Sequence, residues 1–69
     1  MKYVMINGIP IIFSEAHRHS QFQYMGEITS AGFVKIVSGK VNIYGQSVSL
    51  KMCPDPYDEE ILNKLLFNA

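Results

Sequence analysis

Residues 3–13 read YVMINGIPIIF and hold two β-rich runs on either side of an Asn-Gly pair. Asn7-Gly8 is the strongest short signal for a two-residue hairpin, because both residues tolerate the positive φ of a type I′ turn. Pro10 has no N–H to donate to a neighbouring strand, so its strand is expected at a sheet edge or to start late. This stretch therefore predicts an N-terminal β-hairpin.

The segments that follow also have β character. Residues 27–37 read as one strand, in which SAG at 30–32 marks a bulge or a close backbone approach. Ser38-Gly39 predicts a turn, and the period-two alternation of residues 40–44, KVNIY, is typical of a half-buried strand. Gly45 marks a bend, after which residues 46–52, QSVSLKM, alternate again. We therefore expect a small antiparallel sheet of four or five strands.

The last part of the chain predicts an α-helix over residues 55–67. Asp55 is a suitable N-cap and Pro56 a suitable first helical residue. Three carboxylates at positions 58–60 fall in the first turn, where they favour the helix dipole, so we interpret them as structural. One apolar stripe is expected to pack this helix on the sheet: Ile61, Leu62, Leu65 and Leu66. The expected fold class is α+β, as a single domain over residues 1–69.

The composition of the chain predicts self-association. A chain of 69 residues buries only about 60% of its unfolded surface. Cys53 is the only cysteine, so no disulfide within the chain supports the core. The sequence is nevertheless 48% hydrophobic and 17% charged, which is more apolar material than one small core should hold. We expect an exposed apolar patch and a homo-oligomer, most simply a dimer.

The charges are unevenly distributed although the net charge is zero. Residues 1–53 carry five basic and two acidic residues, a net of +3, and residues 54–69 carry one basic and four acidic residues, a net of −3. The β part is therefore expected to offer a local basic site to an anionic ligand, whereas neutrality disfavours nucleic acid as a partner. No apolar run has the length of a membrane span. A lone thiol without an export signal favours the reducing cytoplasm.

A polar block at residues 14–21, SEAHRHSQ, holds both histidines and the only arginine. Ser14 resembles an N-cap, so residues 14–25 are either a short helix or a loop. The guanidinium of Arg18 between His17 and His19 suits phosphate or carboxylate. The alternative is a solvated turn or a helix face that touches a partner subunit. A zinc site is not expected, because the two histidines point apart on a helix and no second ligand pair exists.

Two further segments are candidates for ligand contact. In residues 44–49, YGQSVS, the hydroxyls of Ser47 and Ser49 would share one strand face and, with Tyr44, hold a base or a phosphate. The alternative is an ordinary hydrated sheet face. Phe33, after SAG at 30–32, is either an aromatic platform beside a backbone site or a core residue. Cys53 is expected to be a small hydrophobe, and no nucleophile–base pair or cofactor motif is present, so we predict neither catalytic residues nor a cofactor.

A resemblance to known proteins is carried by a set of residues spread along the chain. They are Asn7-Gly8, Pro10, Phe13-Ser14, His19, residues 30–33 (SAGF), residues 44–50 (YGQSVSL), residues 56–58 (PYD) and Ile61. Together they resemble a group of short, uncharacterised proteins of bacteriophages and prophages. The resemblance covers most of the chain and implies a phage protein made inside a bacterium, but it carries over no catalytic residue. Compact phage proteins of this size often act as oligomers that inhibit a host defence by binding a host protein or sequestering a signalling nucleotide.

The first functional hypothesis is a non-enzymatic protein that binds a small anionic ligand, a nucleotide. Arg18 would pair with phosphate, and the other contacts would come from His17, His19, Phe33, Tyr44, Ser47 and Ser49. One alternative is a homo-oligomeric interaction module that blocks a host protein through an apolar or sheet-edge surface. Another is a minor structural or assembly protein of the phage particle. An enzyme is the class that the residues favour least.

Overall fold

Two hairpins built on type I′ turns fix the sheet of this protein. The computed structural model describes residues 1–67. Positive φ angles at Asn7 (51°) and Gly8 (79°) connect the first pair of strands, and Ser38 (51°) and Gly39 (73°) connect the second. The elements are β1 (Lys2–Ile6), β2 (Ile9–Phe13), a 3₁₀ helix (His19–Met25), β3 (Ile28–Val37), β4 (Lys40–Tyr44) and α1 (Asp58–Phe67). The strands are antiparallel in the order β2-β1-β3-β4, which confirms the predicted α+β fold and places Pro10 on an edge strand.

The sheet buries side chains on both of its faces, because successive residues of a strand point to opposite sides. One face, called the helix face, packs against α1. Its buried core is Tyr3, Met5, Val34, Val41 and Leu62. The other face, called the cleft face, packs against the 3₁₀ helix and residues 46–52. Its buried core is Val4, Ile6, Phe13, Ile28 and Ala31.

The SAG motif at 30–32 holds the close backbone approach, at Gly32, whereas the bulge lies one residue earlier, at Thr29. The pairing of β1 with β3 shifts between Met5–Ser30 and Ile6–Ile28, so Thr29 is an extra residue in a β-bulge. Gly32 is a point of close approach. A Cβ atom there would lie 2.7 Å from Cγ of Pro54 and 3.2 Å from Cε1 of Tyr3. Glycine is therefore required at position 32 by space rather than by its φ angle.

The prediction of a strand over residues 46–52 was wrong. Ser47 and Met52 form an isolated antiparallel bridge, with N···O distances of 2.7 and 3.2 Å, and the residues between them turn. Lys51 has a φ of 56°, which no strand residue adopts. The hydroxyl of Ser47 accepts a hydrogen bond from the N–H of Leu50 (3.2 Å) and thereby holds the turn. Burial in this turn does not follow the alternation of polar and apolar residues, since Ser47 is buried and Val48 is exposed.

The helix α1 begins at Asp58 rather than at Asp55. Residues 55–57 form a preceding turn, in which the Asp55 carboxylate accepts from the N–H of Tyr57 (2.9 Å) and its carbonyl accepts from the N–H of Asp58 (3.0 Å). The expected apolar stripe is only half buried. Leu62 is fully buried and Ile61 partly, whereas Leu65 and Leu66 are exposed.

Side chains of α1 cover the free edge of β4. The N–H of Val41 donates to Oδ1 of Asn63 (2.9 Å), and Nδ2 of Asn63 donates to the carbonyl of Val41 (3.2 Å). The N–H of Ile43 donates to Oε1 of Glu59 (3.0 Å). These bonds occupy both main-chain groups of Val41 and the N–H of Ile43, which an edge strand would otherwise present to another chain.

Residues 14–25 combine a turn with the 3₁₀ helix. The hydroxyl of Ser14 accepts from the N–H of Ala16 (3.1 Å) and its carbonyl accepts from the N–H of His17 (3.1 Å), so Ser14 caps a turn and not a helix. The amide oxygen of Gln21 accepts from the N–H of Arg18 (2.6 Å) at the start of the 3₁₀ helix. The backbone of Arg18 is thereby fixed next to β1.

Candidate functional site

A cleft of about 350 Å³ opens on the cleft face, and we call it the basic cleft. It lies where the start of β1 and the middle of β3 meet the first residue of the 3₁₀ helix and the turn of residues 46–52. Its lining is Lys2, Arg18, His19, Phe33, Gln46, Val48 and Ser49. Four of these, Arg18, His19, Phe33 and Ser49, are among the ligand-binding residues expected from the sequence. Segments far apart in the chain therefore meet at this one place.

The lining of the basic cleft includes two cations and, within the described chain, no acidic residue. Nζ of Lys2 donates to the carbonyl of His17 (2.8 Å) and lies 5.8 Å from the ring centroid of Phe33. The ion pairs of residues 1–67 join Glu60 to Lys64 and Glu15 to the N-terminal amine, so they neutralise neither Lys2 nor Arg18. The positive charge in the cleft is therefore available to an anion.

Five rings form a continuous row across the cleft face, and we call it the aromatic row. Phe22 contacts Phe13 with a centroid distance of 4.2 Å, and Phe13 meets His19 edge to face at 5.4 Å. His19 meets Phe33 edge to face at 5.5 Å, and Phe33 stacks on Tyr44 at 5.6 Å and 27°. Edge-to-face and offset-stacked pairs are the favoured geometries of such rings. The row therefore holds Phe33 in a fixed orientation at the wall of the cleft.

His19 is the central member of this row and is buried. Its Nε2 lies 2.8 Å from the carbonyl oxygen of Gly32. Because a carbonyl only accepts hydrogen bonds, Nε2 must carry the hydrogen and donate it. The Nε2 hydrogen of His19 is thus already used within the fold, and the ring serves as a wall of the cleft.

Tyr44 extends the aromatic surface beyond the cleft without lining it. Nζ of Lys35 lies 5.5 Å from the ring centroid of Tyr44, which adds a third cation to this surface. Gly45 follows with a φ of 70°, and a Cβ atom there would lie 2.8 Å from Cδ1 of Phe33. The backbone of Gly45 therefore packs directly on Phe33, which only glycine permits.

The remaining expected ligand residues lie apart from the cleft. Ser47 is buried, and its hydroxyl lies 3.5 Å from that of Ser49 and accepts from the N–H of Leu50. The shared serine face does not exist, because residues 46–52 are not a strand. The side chain of His17 is exposed and does not line the cleft, although its carbonyl accepts from Lys2. Of the two serines, Ser49 alone lines the cleft.

Sequence reasoning missed Lys2, Gln46 and Val48. Lys2 pairs with Phe33 across β1 and β3, so the two side chains share a face. Because the side chains of paired residues in neighbouring strands lie on the same face, knowledge of this pairing would have placed Lys2 beside Phe33. The pairing joins strands far apart in the sequence, however, and the sequence does not specify its register.

A second polar centre lies on the helix face and is closed to ligands. Oδ2 of the buried Asp58 accepts from the hydroxyls of Tyr3 (2.6 Å) and Ser30 (2.7 Å) and from the N–H of Asp55 (2.9 Å). Burial of Tyr3, and then its hydrogen bond to Asp58 and the negative charge there, raise the Tyr3 pKa far above its ordinary value near 10. This network ties the start of α1 to β1 and β3, which is a structural role.

Comparisons with protein-family models, curated proteins and solved structures give no match to this chain. Within residues 1–67, no helix has both the length and the hydropathy needed to cross a bilayer. The same residues hold no group of three His, Cys, Asp or Glu side chains arranged to bind a metal ion. The candidate functional site is therefore the basic cleft.

Proposed function

We propose that this protein is a non-enzymatic binding protein that takes up a small anionic ligand, a nucleotide, in the basic cleft. The observation that carries the proposal is the placement of Lys2 and Arg18 around the half-buried ring of Phe33, with no carboxylate lining the cleft in residues 1–67. The guanidinium of Arg18 matches the geometry of phosphate oxygens, and Lys2 adds a second positive charge. The ring of Phe33 offers a stacking surface for a base.

The size and the polar lining of the cleft favour a single nucleotide. Small-molecule sites have volumes of about 300–1,000 Å³, and the 350 Å³ of the basic cleft lies near the lower end. The amide of Gln46 and the hydroxyl of Ser49 supply donors and acceptors for the edges of a base or a ribose. Val48, 82% exposed, would become covered when the cleft is occupied.

The resemblance to bacteriophage proteins suggests the source of this nucleotide. We propose a signalling nucleotide of the bacterial host, held in the host cytoplasm so that it no longer activates a defence. This mode of action needs stoichiometric amounts of protein and no turnover. A nucleotide that was consumed by catalytic amounts of the protein would contradict it.

Native mass spectrometry of the protein purified from cell lysate, compared with its denatured mass, tests the proposal first. We expect an excess mass of nucleotide size. Calorimetric titration with AMP, ADP and cyclic nucleotides follows, with adenosine as the ligand that lacks phosphate. The Arg18→Ala variant should weaken nucleotide binding about tenfold or more and leave weak adenosine binding unchanged.

Lys40→Ala is the matched control, because Lys40 is an exposed cation on the β3–β4 hairpin and does not line the cleft. It should bind nucleotides like the wild type. A folded Arg18→Ala variant that binds nucleotides unchanged would contradict the assignment of the site.

A second candidate function is an interaction module that blocks a host protein. The exposed apolar side chains favour it, among them Tyr24 (84% exposed) and Tyr57 (69% exposed). Binding of a host protein should survive Arg18→Ala and be lost in a Tyr24→Ser or Tyr57→Ser variant. The same variants therefore separate the two functions.

A further inference from the structure

The two edges of the sheet differ in the main-chain groups that they leave free. In the β1–β2 hairpin, a two-residue turn makes Ile6 and Ile9 a hydrogen-bonded pair, and bonded pairs then recur at every second residue. Pro10 and Ile12 therefore direct their main-chain groups away from β1. Pro10 has no N–H, so the outer edge of β2 presents the N–H of Ile12 and the carbonyls of both residues. On β4, by contrast, α1 occupies the corresponding groups.

We propose that the outer edge of β2 pairs with β2 of a second copy of this chain, antiparallel about a two-fold axis at Ile12. In this register the N–H of each Ile12 donates to the carbonyl of the partner's Ile12. The N–H of each Ser14 donates to the carbonyl of the partner's Pro10. Pro10 has no N–H to donate to the carbonyl of the partner's Ser14. That carbonyl needs no donor from Pro10, because it already accepts from the N–H of His17 in its own chain (3.1 Å). The edge is thus complementary to itself.

The side chains fit the same register. β2, residues 9–13 (IPIIF), carries no charge, so no like charges meet across the axis. Ile11 lies opposite the partner's Phe13 on the cleft face. Ile9, 65% exposed, lies beside the turn that begins at the partner's Ser14 and includes its Glu15, at a cavity of about 580 Å³ lined by Met1, Ile12, Phe13, Ser14 and Glu15. Pairing would cover this exposed side chain and join two four-stranded sheets into one of eight strands.

This inference goes beyond ligand binding and does not depend on it. The two-fold axis stands perpendicular to the joined sheet, so both cleft faces point to the same side and both basic clefts stay open. A second copy is favoured over a foreign peptide because the donors and acceptors of β2 match those of β2 itself. The occupant is therefore the same strand of another molecule.

Sedimentation velocity over a range of concentrations tests the proposal, and we expect a dimer for the wild type. Ile12→Pro removes the N–H directed at the partner without removing a bond to β1. It should raise the dimer Kd about 30-fold or more, while circular dichroism shows an unchanged fold. Val48→Ser is the matched control, since Val48 is exposed but lies on the turn of residues 46–52. It should remain a dimer.

Two further measurements apply even if Ile12→Pro does not fold. In hydrogen exchange, the amide of Ile12 should become protected as the concentration of the wild type rises. Ile9→Glu keeps every main-chain bond of the monomer and should also dissociate the dimer, because it places a second carboxylate beside the partner's Glu15. A wild type that stays monomeric at about 100 μM would overturn the proposal. A dimer that persists in Ile9→Glu, with an unprotected Ile12 amide, would overturn it as well.

Discussion

On the helix face one regular element, α1, covers the sheet, whereas on the cleft face the cover consists of a 3₁₀ helix and a turn. The helix face fills its space with the fully buried Leu62 and joins its elements through the carboxylate of Asp58. The cleft face is left incomplete at the basic cleft, which Lys2, Arg18 and the half-buried Phe33 line. Both faces of this small sheet hold a buried core, but the cleft face also retains a concave, charged surface.

The largest loss of stability is expected for Asp58→Ala, on the helix face. The substitution leaves the buried hydroxyls of Tyr3 and Ser30 without their acceptor, so we expect a loss of about 3 kcal/mol in the free energy of unfolding. Urea denaturation at neutral pH measures it. Glu60→Ala is the matched control in the same first turn, because Glu60 is exposed and makes only an ion pair with Lys64. Equal losses in the two variants would contradict the structural role of Asp58.

His19→Ala is the corresponding test of the cleft face. It opens a gap in the aromatic row and removes the donor to Gly32, so we expect a loss of about 2–3 kcal/mol in the free energy of unfolding. His17→Ala is the control two residues earlier and should stay within about 0.5 kcal/mol of the wild type, because its side chain is exposed. A larger effect at His17 than at His19 would mean that the assignment of the two histidines is wrong.

Tyr3→Phe tests the Asp58 network of the helix face through its dependence on pH. It should cost about 1–2 kcal/mol at neutral pH, since the bond to Asp58 is lost. In the wild type the folded-state pKa of Tyr3 is raised, so its contribution is complete below the unfolded-state pKa near 10. Above pH 10 the unfolded chain releases this proton and the folded chain keeps it, so stability should fall by about 1.4 kcal/mol per pH unit from this group.

Urea denaturation at a series of alkaline pH values measures this slope. Tyr3→Phe should lack the part of the slope that comes from Tyr3. Tyr57→Phe, an exposed tyrosine, should retain it. If the wild type and Tyr3→Phe had the same alkaline slope, the raised pKa would be wrong.

Arg18→Ala should have the smallest effect on stability, within about 0.5 kcal/mol, because its side chain is exposed and fixes no core contact. Its large effect should appear in nucleotide binding instead. A thermal melt with and without ligand separates the two quantities. A marked loss of stability without ligand would show that Arg18 belongs to the scaffold of the cleft face.

The parts of the fold that the sequence specified are those determined by local chemistry. Asn7-Gly8 and Ser38-Gly39 fixed two hairpins, because few residues adopt positive φ at both central turn positions. Pro10 on an edge strand followed from its missing N–H. The acidic first turn predicted α1, although the turn of residues 55–57 delayed its start. Alternation over residues 46–52 misled, because the polarity of these residues does not follow their burial: the polar Ser47 is buried and the apolar Val48 is exposed.

The candidate site was harder to predict from the sequence than the fold, because it depends on which strands pair. Arg18 and Phe33 were marked by residue type, but the basic cleft also needs Lys2, which reaches it through the pairing of β1 with β3. The sequence also does not reveal which hydroxyl and imidazole groups form hydrogen bonds within the fold. Ser47 bonds within its turn and His19 bonds to Gly32, and neither partner is visible from spacing alone.

The side-chain cap on β4 also limits the size of an assembly. A sheet with two open edges adds copies without end and forms a filament, whereas a sheet with one open edge stops after a single pairing. Asn63 and Glu59 close one edge here. In the dimer proposed above, replacing both with alanine would therefore open a second edge, and we expect copies to add there beyond two chains.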